Sequence, residues 1–77
     1  MTSLLDPTAA DILYVQRAVA GVAALTTTAE LFRGIDAMHE RRARLRRLWR
    51  EGDARISAAC HATYERLTRR RLDGRPV

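Results

Sequence analysis

Apolar side chains recur along the chain at intervals of three and four residues, in three successive segments. This spacing places the side chains of each segment on one face of an α-helix. The first stripe contains Ile12, Val15, Val19 and Val22; the second contains Leu31, Ile35, Met38, Leu45 and Trp49, with one gap between Met38 and Leu45; the third contains Ile56, Cys60, Thr63 and Leu67. The pattern therefore predicts an all-α protein built from three helices.

Capping residues predict where the first two helices begin. Asp6 is a suitable N-cap for a helix with Pro7 at its first position, and Thr8 with Asp11 offers an alternative start. Threonines at 26–28 favour a cap or turn over a helix interior. Thr27 and Glu30 match the capping-box spacing, so a second helix should begin near residue 28. We predict helices over 7–24 and from 28, packed as antiparallel neighbours because their connection is short.

The boundary between the second and third helices has two interpretations. Gly52 suits the position after a helix C-terminus and Asp53 suits the next N-cap, which predicts helices over 28–50 and 53–72. The stripe spacing nevertheless continues through Gly52 to Ile56, so a single helix over 28–72 is the alternative. The fold is then either a small three-helix bundle or an extended hairpin, with a frayed tail at 73–77.

The whole chain, residues 1–77, is predicted to form a single small domain. A domain of this size buries a modest fraction of its surface, and we expect a homodimer to complete the core. Arg42 occupies a position in the second stripe where a leucine would be expected. A charge in such a seam can specify the alignment of two helices. We therefore expect Arg42 near a dimer interface, within reach of Glu40 of the second chain.

Composition narrows the environment and the class of partner. The 14 basic residues are all arginine, and the formal net charge is +5. Such a balance suits an acidic protein surface, a nucleic acid or a membrane face. A single cysteine, no basic leader and no apolar run near the ~20 residues of a membrane span predict a cytoplasmic protein, with membrane binding unlikely. The arginine and alanine content indicates a GC-rich bacterial, phage or mobile-element genome.

An arginine cluster in the second helix is the principal candidate site. Arginine and tryptophan are enriched among the residues that dominate binding energies at protein interfaces. The predicted partner-binding residues are Arg41, Arg42, Arg44, Arg46, Arg47, Trp49 and Arg50. A secondary basic patch is predicted at Arg69, Arg70 and Arg71. Glutamates four residues away offer local partners in the pairs 40–44, 47–51 and 51–55.

The sequence offers little for catalysis or for binding a metal ion or cofactor. Cys60 lies on the apolar stripe, whereas the adjacent His61 points about 100° away on a helix. Neither a metal-ligand spacing nor a glycine-rich phosphate loop is present. We predict a non-enzymatic protein with no metal and no cofactor.

Two functions remain open from the sequence. The first is a small regulator or inhibitor, of a phage or mobile-element type, that docks on a larger protein through the arginine- and tryptophan-rich helix. The second is a DNA- or RNA-binding regulator that places the same arginines and the secondary patch on phosphates.

Overall fold

A computed structural model describes the backbone of residues 7–73 and the side chains of residues 7–69. Three helices account for almost all of this range: α1 (Ala9–Ala23), α2 (Thr28–Leu48) and α3 (Arg50–Asp73). No strand occurs between residues 7 and 73. The predicted all-α class and the number of helices are confirmed. Asp6 and residues 74–77 of the predicted tail lie outside the described residues.

The first helix begins at the alternative start. The hydroxyl of Thr8 accepts a hydrogen bond from the Asp11 backbone N–H at 3.1 Å, and the Asp11 carboxylate accepts one from the Thr8 backbone N–H at 3.1 Å. This reciprocal pair is a capping box, and it satisfies two N–H groups at the helix start. Its hydrogen bonds lower the pKa of Asp11, the one from the Thr8 backbone most. Because Thr8 is the N-cap, α1 starts at Ala9 rather than at Pro7.

The second helix begins at residue 28 as predicted. The Thr27 hydroxyl accepts a hydrogen bond from the Glu30 backbone N–H at 3.1 Å. The Glu30 carboxylate reaches one residue further back than in a standard capping box, and it accepts hydrogen bonds from the backbone N–H and the hydroxyl of Thr26. The backbone hydrogen bond from Thr26 is the main cause of a lowered pKa at Glu30. These contacts fix the short connection between α1 and α2.

A break does separate α2 from α3, but it falls at Trp49 and not at Gly52. The backbone of Trp49 leaves the helical region, with φ −155° and ψ 80°. Its carbonyl then accepts the first hydrogen bond of α3, from the Gly52 N–H at 3.0 Å. Gly52 and Asp53 therefore lie in the first turn of α3, and their predicted roles as helix end and N-cap are wrong.

Gly52 is required by the side chain of Trp49. A Cβ atom at residue 52 would lie 2.7 Å from Cζ3 and 2.8 Å from Cδ2 of the Trp49 ring. Real Cβ atoms do not approach carbon atoms this closely, so the indole packs directly on the glycine backbone. The glycine permits a tight helix–helix corner, in which the ring of the linking residue covers the start of the next helix.

The three helices alternate in direction around a shared core. Residues 22, 32 and 64 lie at one level of the bundle, since the Thr63 hydroxyl contacts the Val22 carbonyl and the rings of Phe32 and Tyr64 are 6.0 Å apart. Near the other end Arg41 lies over Tyr14, and Arg42 contacts Asp53. Hence α1 is antiparallel to α2 and parallel to α3. Of the two predicted forms, the structure is therefore the three-helix bundle and not the extended hairpin.

The helix α3 holds the bundle together. Both α1 and α2 pack mainly against it, and their own backbones approach each other at few positions. The two helices are antiparallel, and each contacts α3 more extensively than it contacts the other. The reason is the third stripe, all of which is buried: Ile56, Cys60, Thr63 and Leu67.

Hydrogen bonds from α3 secure the last turn of α1. Thr63 is buried, and its hydroxyl donates to the Val22 carbonyl at 3.2 Å. The Arg66 guanidinium donates to the carbonyls of Ala23 at 3.1 Å and Leu25 at 2.8 Å. Carbonyls at a helix C-terminus lack partners within the helix, so these contacts replace water at the end of α1. The remaining core residues are Val15, Val22, Leu31 and Leu45, each on its predicted stripe.

Candidate functional site

The positive charge of the chain is concentrated around the corner between α2 and α3. Residues 41–55 contain seven arginines and two carboxylates, a formal net charge of +5 that equals the formal net charge of the entire chain. We use the name arginine tip for the arginines of this segment together with its tryptophan: Arg41, Arg42, Arg44, Arg46, Arg47, Trp49, Arg50 and Arg55. The segment lies at one end of the bundle, where α2 ends and α3 begins.

Arg42 is the one arginine of the tip that points into the protein. Its Nε donates a hydrogen bond of 2.7 Å to Oδ1 of Asp53, and the two side chains are 13% and 8% exposed. The carboxylate that partners it belongs to the first turn of α3 in the same chain. The stripe position that was interpreted as a seam between two copies therefore faces the protein's own third helix. Arg42 is thus not available to reach Glu40 of another chain.

Two further arginines of the tip are partly engaged by neighbouring helices. The Nη1 atom of Arg46 lies 3.4 Å from Oδ2 of Asp53, and the Arg46 side chain is 49% exposed. The guanidinium of Arg41 stacks 4.4 Å from the centroid of the Tyr14 ring on α1. Such contacts with exposed groups contribute on the order of 0.5–1 kcal/mol, but they restrict the directions in which the guanidinium groups point.

Arg44, Arg47 and Arg50 are exposed, and none of them makes a hydrogen bond or ion pair with a described residue. The local pairs predicted from spacing, 40–44, 47–51 and 51–55, do not form within 4.0 Å in the described structure. Within the described part of the chain, the guanidinium groups of these three residues keep their hydrogen-bond donors unused.

Trp49 and Arg55 complete the tip. Trp49 is half-buried, packs against the core and rests on Gly52. The guanidinium of Arg55 lies 5.5 Å from the centroid of the Trp49 ring. Arg55 was not among the predicted partner-binding residues, because the predicted break between residues 50 and 53 placed it in a separate helix. With the corner at Trp49, residue 55 belongs to the same surface.

The predicted secondary patch lies at the opposite end of α3. Arg69 is exposed and 19 positions beyond Arg50 on the same helix, which corresponds to about 28 Å at 1.5 Å per residue. The side chains of Arg70 and Arg71 lie outside the described residues. The fold does not bring this patch together with the arginine tip.

The possible metal ligands and the single cysteine of the described residues do not converge on one site. Between residues 7 and 69 no group of three or more metal-ligating side chains converges. Cys60 is buried in the core, as predicted, and burial raises the pKa of its thiol. His61 points outward, and its Nε2 atom is 3.9 Å from Oε1 of Glu65. The thiol and the imidazole thus face different environments and form no nucleophile–base pair.

Similarity to known proteins does not identify a function. Comparison with known proteins finds no matching family model, no similar curated protein and no similar solved structure. None of the helices within residues 7–73 is long and apolar enough to cross a bilayer. The basis for a functional proposal is therefore the geometry and charge of the arginine tip.

Proposed function

We propose that the protein is a non-enzymatic docking module, whose arginine tip binds an acidic surface on a larger protein. The main support is the distribution of charge: residues 41–55 have a formal net charge of +5, which equals that of the whole chain. In addition, Arg44, Arg47 and Arg50 are exposed and have no partner among the described residues. The proposed role is that of a small cytoplasmic regulator or inhibitor encoded by a bacterium, phage or mobile element.

The directions of the free arginines favour a protein partner. Arg44 and Arg47 are three positions apart, so their side chains lie about 60° apart on the same side of α2, while Arg50 projects from the next helix. A strand of phosphates follows a single line across a protein surface, whereas an acidic pocket can surround a convex tip. Charge-assisted hydrogen bonds from guanidinium to carboxylate provide the required strength. Trp49, half-buried and fixed by Gly52, supplies an apolar centre.

Nucleic-acid binding is the second candidate, because a compact cluster of arginines also attracts phosphates. Each neutralised phosphate contributes about −0.9 to the slope of log affinity against log salt concentration. Three free arginines therefore predict a slope of about −3 for duplex DNA, and weak binding at physiological salt. Fluorescence anisotropy with a labelled duplex measures this slope. Tight binding that persists at high salt and depends on sequence would favour the nucleic-acid function and contradict the docking proposal.

A charge-reversal pair tests the docking proposal. Arg44→Glu/Arg47→Glu alters the tip, and Arg17→Glu/Arg33→Glu makes the same change in net charge at exposed positions elsewhere. The wild type and both variants are used to capture proteins from a nuclease-treated lysate of the host, and a protein that is retained is purified and titrated directly. We expect the tip variant to bind this protein at least about tenfold more weakly than the wild type, a loss of about 1.4 kcal/mol.

The control variant should retain the affinity of the wild type within about twofold, because its substitutions lie away from the tip. Equal losses in the two variants would mean that net charge alone governs binding, which would contradict a docking surface at the tip. Circular dichroism of both variants checks that the helices remain folded.

A further inference from the structure

The side of α3 that faces away from the core forms an open groove with the edge of α2. The groove has a volume of about 610 Å³. Its floor consists of small side chains of α3, which are Ala54, Ser57, Ala58 and Ala62. Arg46 and Arg50 lie at one end of the groove and Glu65 lies toward the other. The ends of the groove therefore carry opposite charge.

Exposed aromatic side chains border this groove. A second depression of about 420 Å³ lies between α2 and α3, and it shares Ser57 and His61 with the first. Phe32 and Tyr64 line it, and they remain 52% and 43% exposed although their rings contact each other. Two adjacent rings of this exposure leave apolar surface that association would remove from water. The small residues of the floor and the aromatic edge thus form one uncovered face.

We propose that this face binds a second copy of the chain, with the two α3 helices antiparallel across a twofold axis. An axis between residues 57 and 58 pairs positions whose numbers add to 115. Each α3 residue that lines the groove then meets another residue of the same groove: Ser57 meets Ala58, Ala54 meets His61, Asp53 meets Ala62, and Arg50 meets Glu65. A symmetric dimer requires a surface that is complementary to itself after a twofold rotation.

The pairs match in charge and in size. Arg50 of one copy meets Glu65 of the other at both ends of the interface, which gives two symmetric ion pairs. The imidazole of His61 meets Ala54, so a large side chain is placed against a small one. At the centre Ser57 and Ala58 allow the helices to approach to the lower end of the usual 8–10 Å separation. Opposite charges at the ends and small residues at the centre favour this antiparallel alignment over a parallel one.

A second copy fits the face better than an unrelated helix, because the match arises entirely from residues of this chain. The interface also differs from the α2 seam expected from the sequence, since Arg42 is committed to Asp53. Arg50 belongs both to the arginine tip and to this interface, whereas Arg44 and Arg47 do not line the groove. Reversal of Arg44 and Arg47 therefore tests the tip separately from the dimer.

Sedimentation velocity over a range of protein concentrations tests the dimer. The wild type is compared with Arg50→Glu, with Glu65→Arg and with the double variant Arg50→Glu/Glu65→Arg. All substituted residues are exposed, so the fold should tolerate them. We expect each single variant to weaken the dimer at least about tenfold, because a like-charge contact replaces an ion pair at both ends. The double variant should restore the dimer, since it exchanges the two charges.

Glu40→Arg provides the control, because Glu40 is exposed on α2 and does not line the groove. It makes the same charge change as Glu65→Arg, and its dimer should match that of the wild type. A wild type that sediments as a monomer at several hundred micromolar would overturn the proposal. The proposal would also be overturned if neither single reversal weakened the dimer, or if the double variant failed to restore it.

Discussion

Replacing Arg42 with leucine is expected to destabilise the fold by about 3–5 kcal/mol. The substitution removes the closer partner of the Asp53 carboxylate, which is 8% exposed, and leaves this buried charge with only the 3.4 Å contact from the half-exposed Arg46. A domain of 77 residues has a total stability of about 4–12 kcal/mol, so this loss is a large part of the total. Urea unfolding followed by circular dichroism measures the difference. The same substitution would raise the melting temperature if Arg42 occupied an apolar seam between two copies.

Two companion variants separate the buried pair from charge effects in general. Arg46→Leu removes a contact of 3.4 Å from a side chain that is 49% exposed, and it should cost no more than about 1 kcal/mol. Arg42→Leu/Asp53→Leu removes both buried charges and should recover most of the stability lost in the single variant. If Arg42→Leu is as stable as the wild type, the contact between Arg42 and Asp53 does not contribute to the fold.

Gly52→Ala is expected to destabilise the protein by about 1–3 kcal/mol, because the new Cβ would overlap the Trp49 ring. The direction of this effect is unusual. Replacing a glycine inside a helix with alanine normally stabilises it by about 0.5–1 kcal/mol. To admit the methyl group, the ring must move away from the start of α3 and give up its contacts with the core. Thermal unfolding of the variant measures the net change.

Gly34→Ala is the matched control, because Gly34 lies within α2 and a Cβ there would meet nothing within 4 Å. This variant should be more stable than the wild type by about 0.5–1 kcal/mol. In a Trp49→Ala background, Gly52→Ala should lose most of its cost, and a double-mutant cycle measures this coupling. A stabilising effect of Gly52→Ala in the wild-type background would show that the indole does not rest on residue 52.

Local patterns were sufficient to predict most of the fold. The hydroxyl-rich segment before residue 28 predicted the start of α2, since side-chain caps act over three or four residues. The spacing of Ile56, Cys60 and Leu67 predicted the buried face of α3, because helical periodicity depends only on the helix itself. These features are encoded within a turn or two of helix. They could therefore be identified without knowledge of the other helices.

The corner between α2 and α3 could not be predicted in the same way. A glycine after a helical stripe usually indicates a helix end, but Gly52 instead accommodates a ring three residues earlier in the chain. The partner of Arg42 was also hidden. Asp53 is 11 residues away, beyond the corner, so the contact exists only once the direction of α3 is set. Both errors arise from contacts that depend on the packing of two helices.

The sequence indicated which residues form the arginine cluster, but not which of their side chains face outward. The sequence identified the arginines of 41–50 as a cluster, since their number far exceeds that of the nearby carboxylates. It could not distinguish Arg42, which is paired with Asp53, from Arg44 and Arg47, which have no hydrogen-bond or ion-pair partner among the described residues. Nor did it include Arg55, which reaches the Trp49 ring from the next helix. Only the fold determines which guanidinium groups face outward.

Capture of a partner with and without nuclease treatment tests most directly whether the arginine tip binds a protein. The wild-type chain is immobilised, host lysate is divided into treated and untreated halves, and the retained proteins are quantified at physiological salt. We expect the same acidic protein to be retained in both halves and to be lost with Arg44→Glu/Arg47→Glu. Retention that disappears after nuclease treatment would contradict this expectation and would indicate that nucleic acid is the ligand.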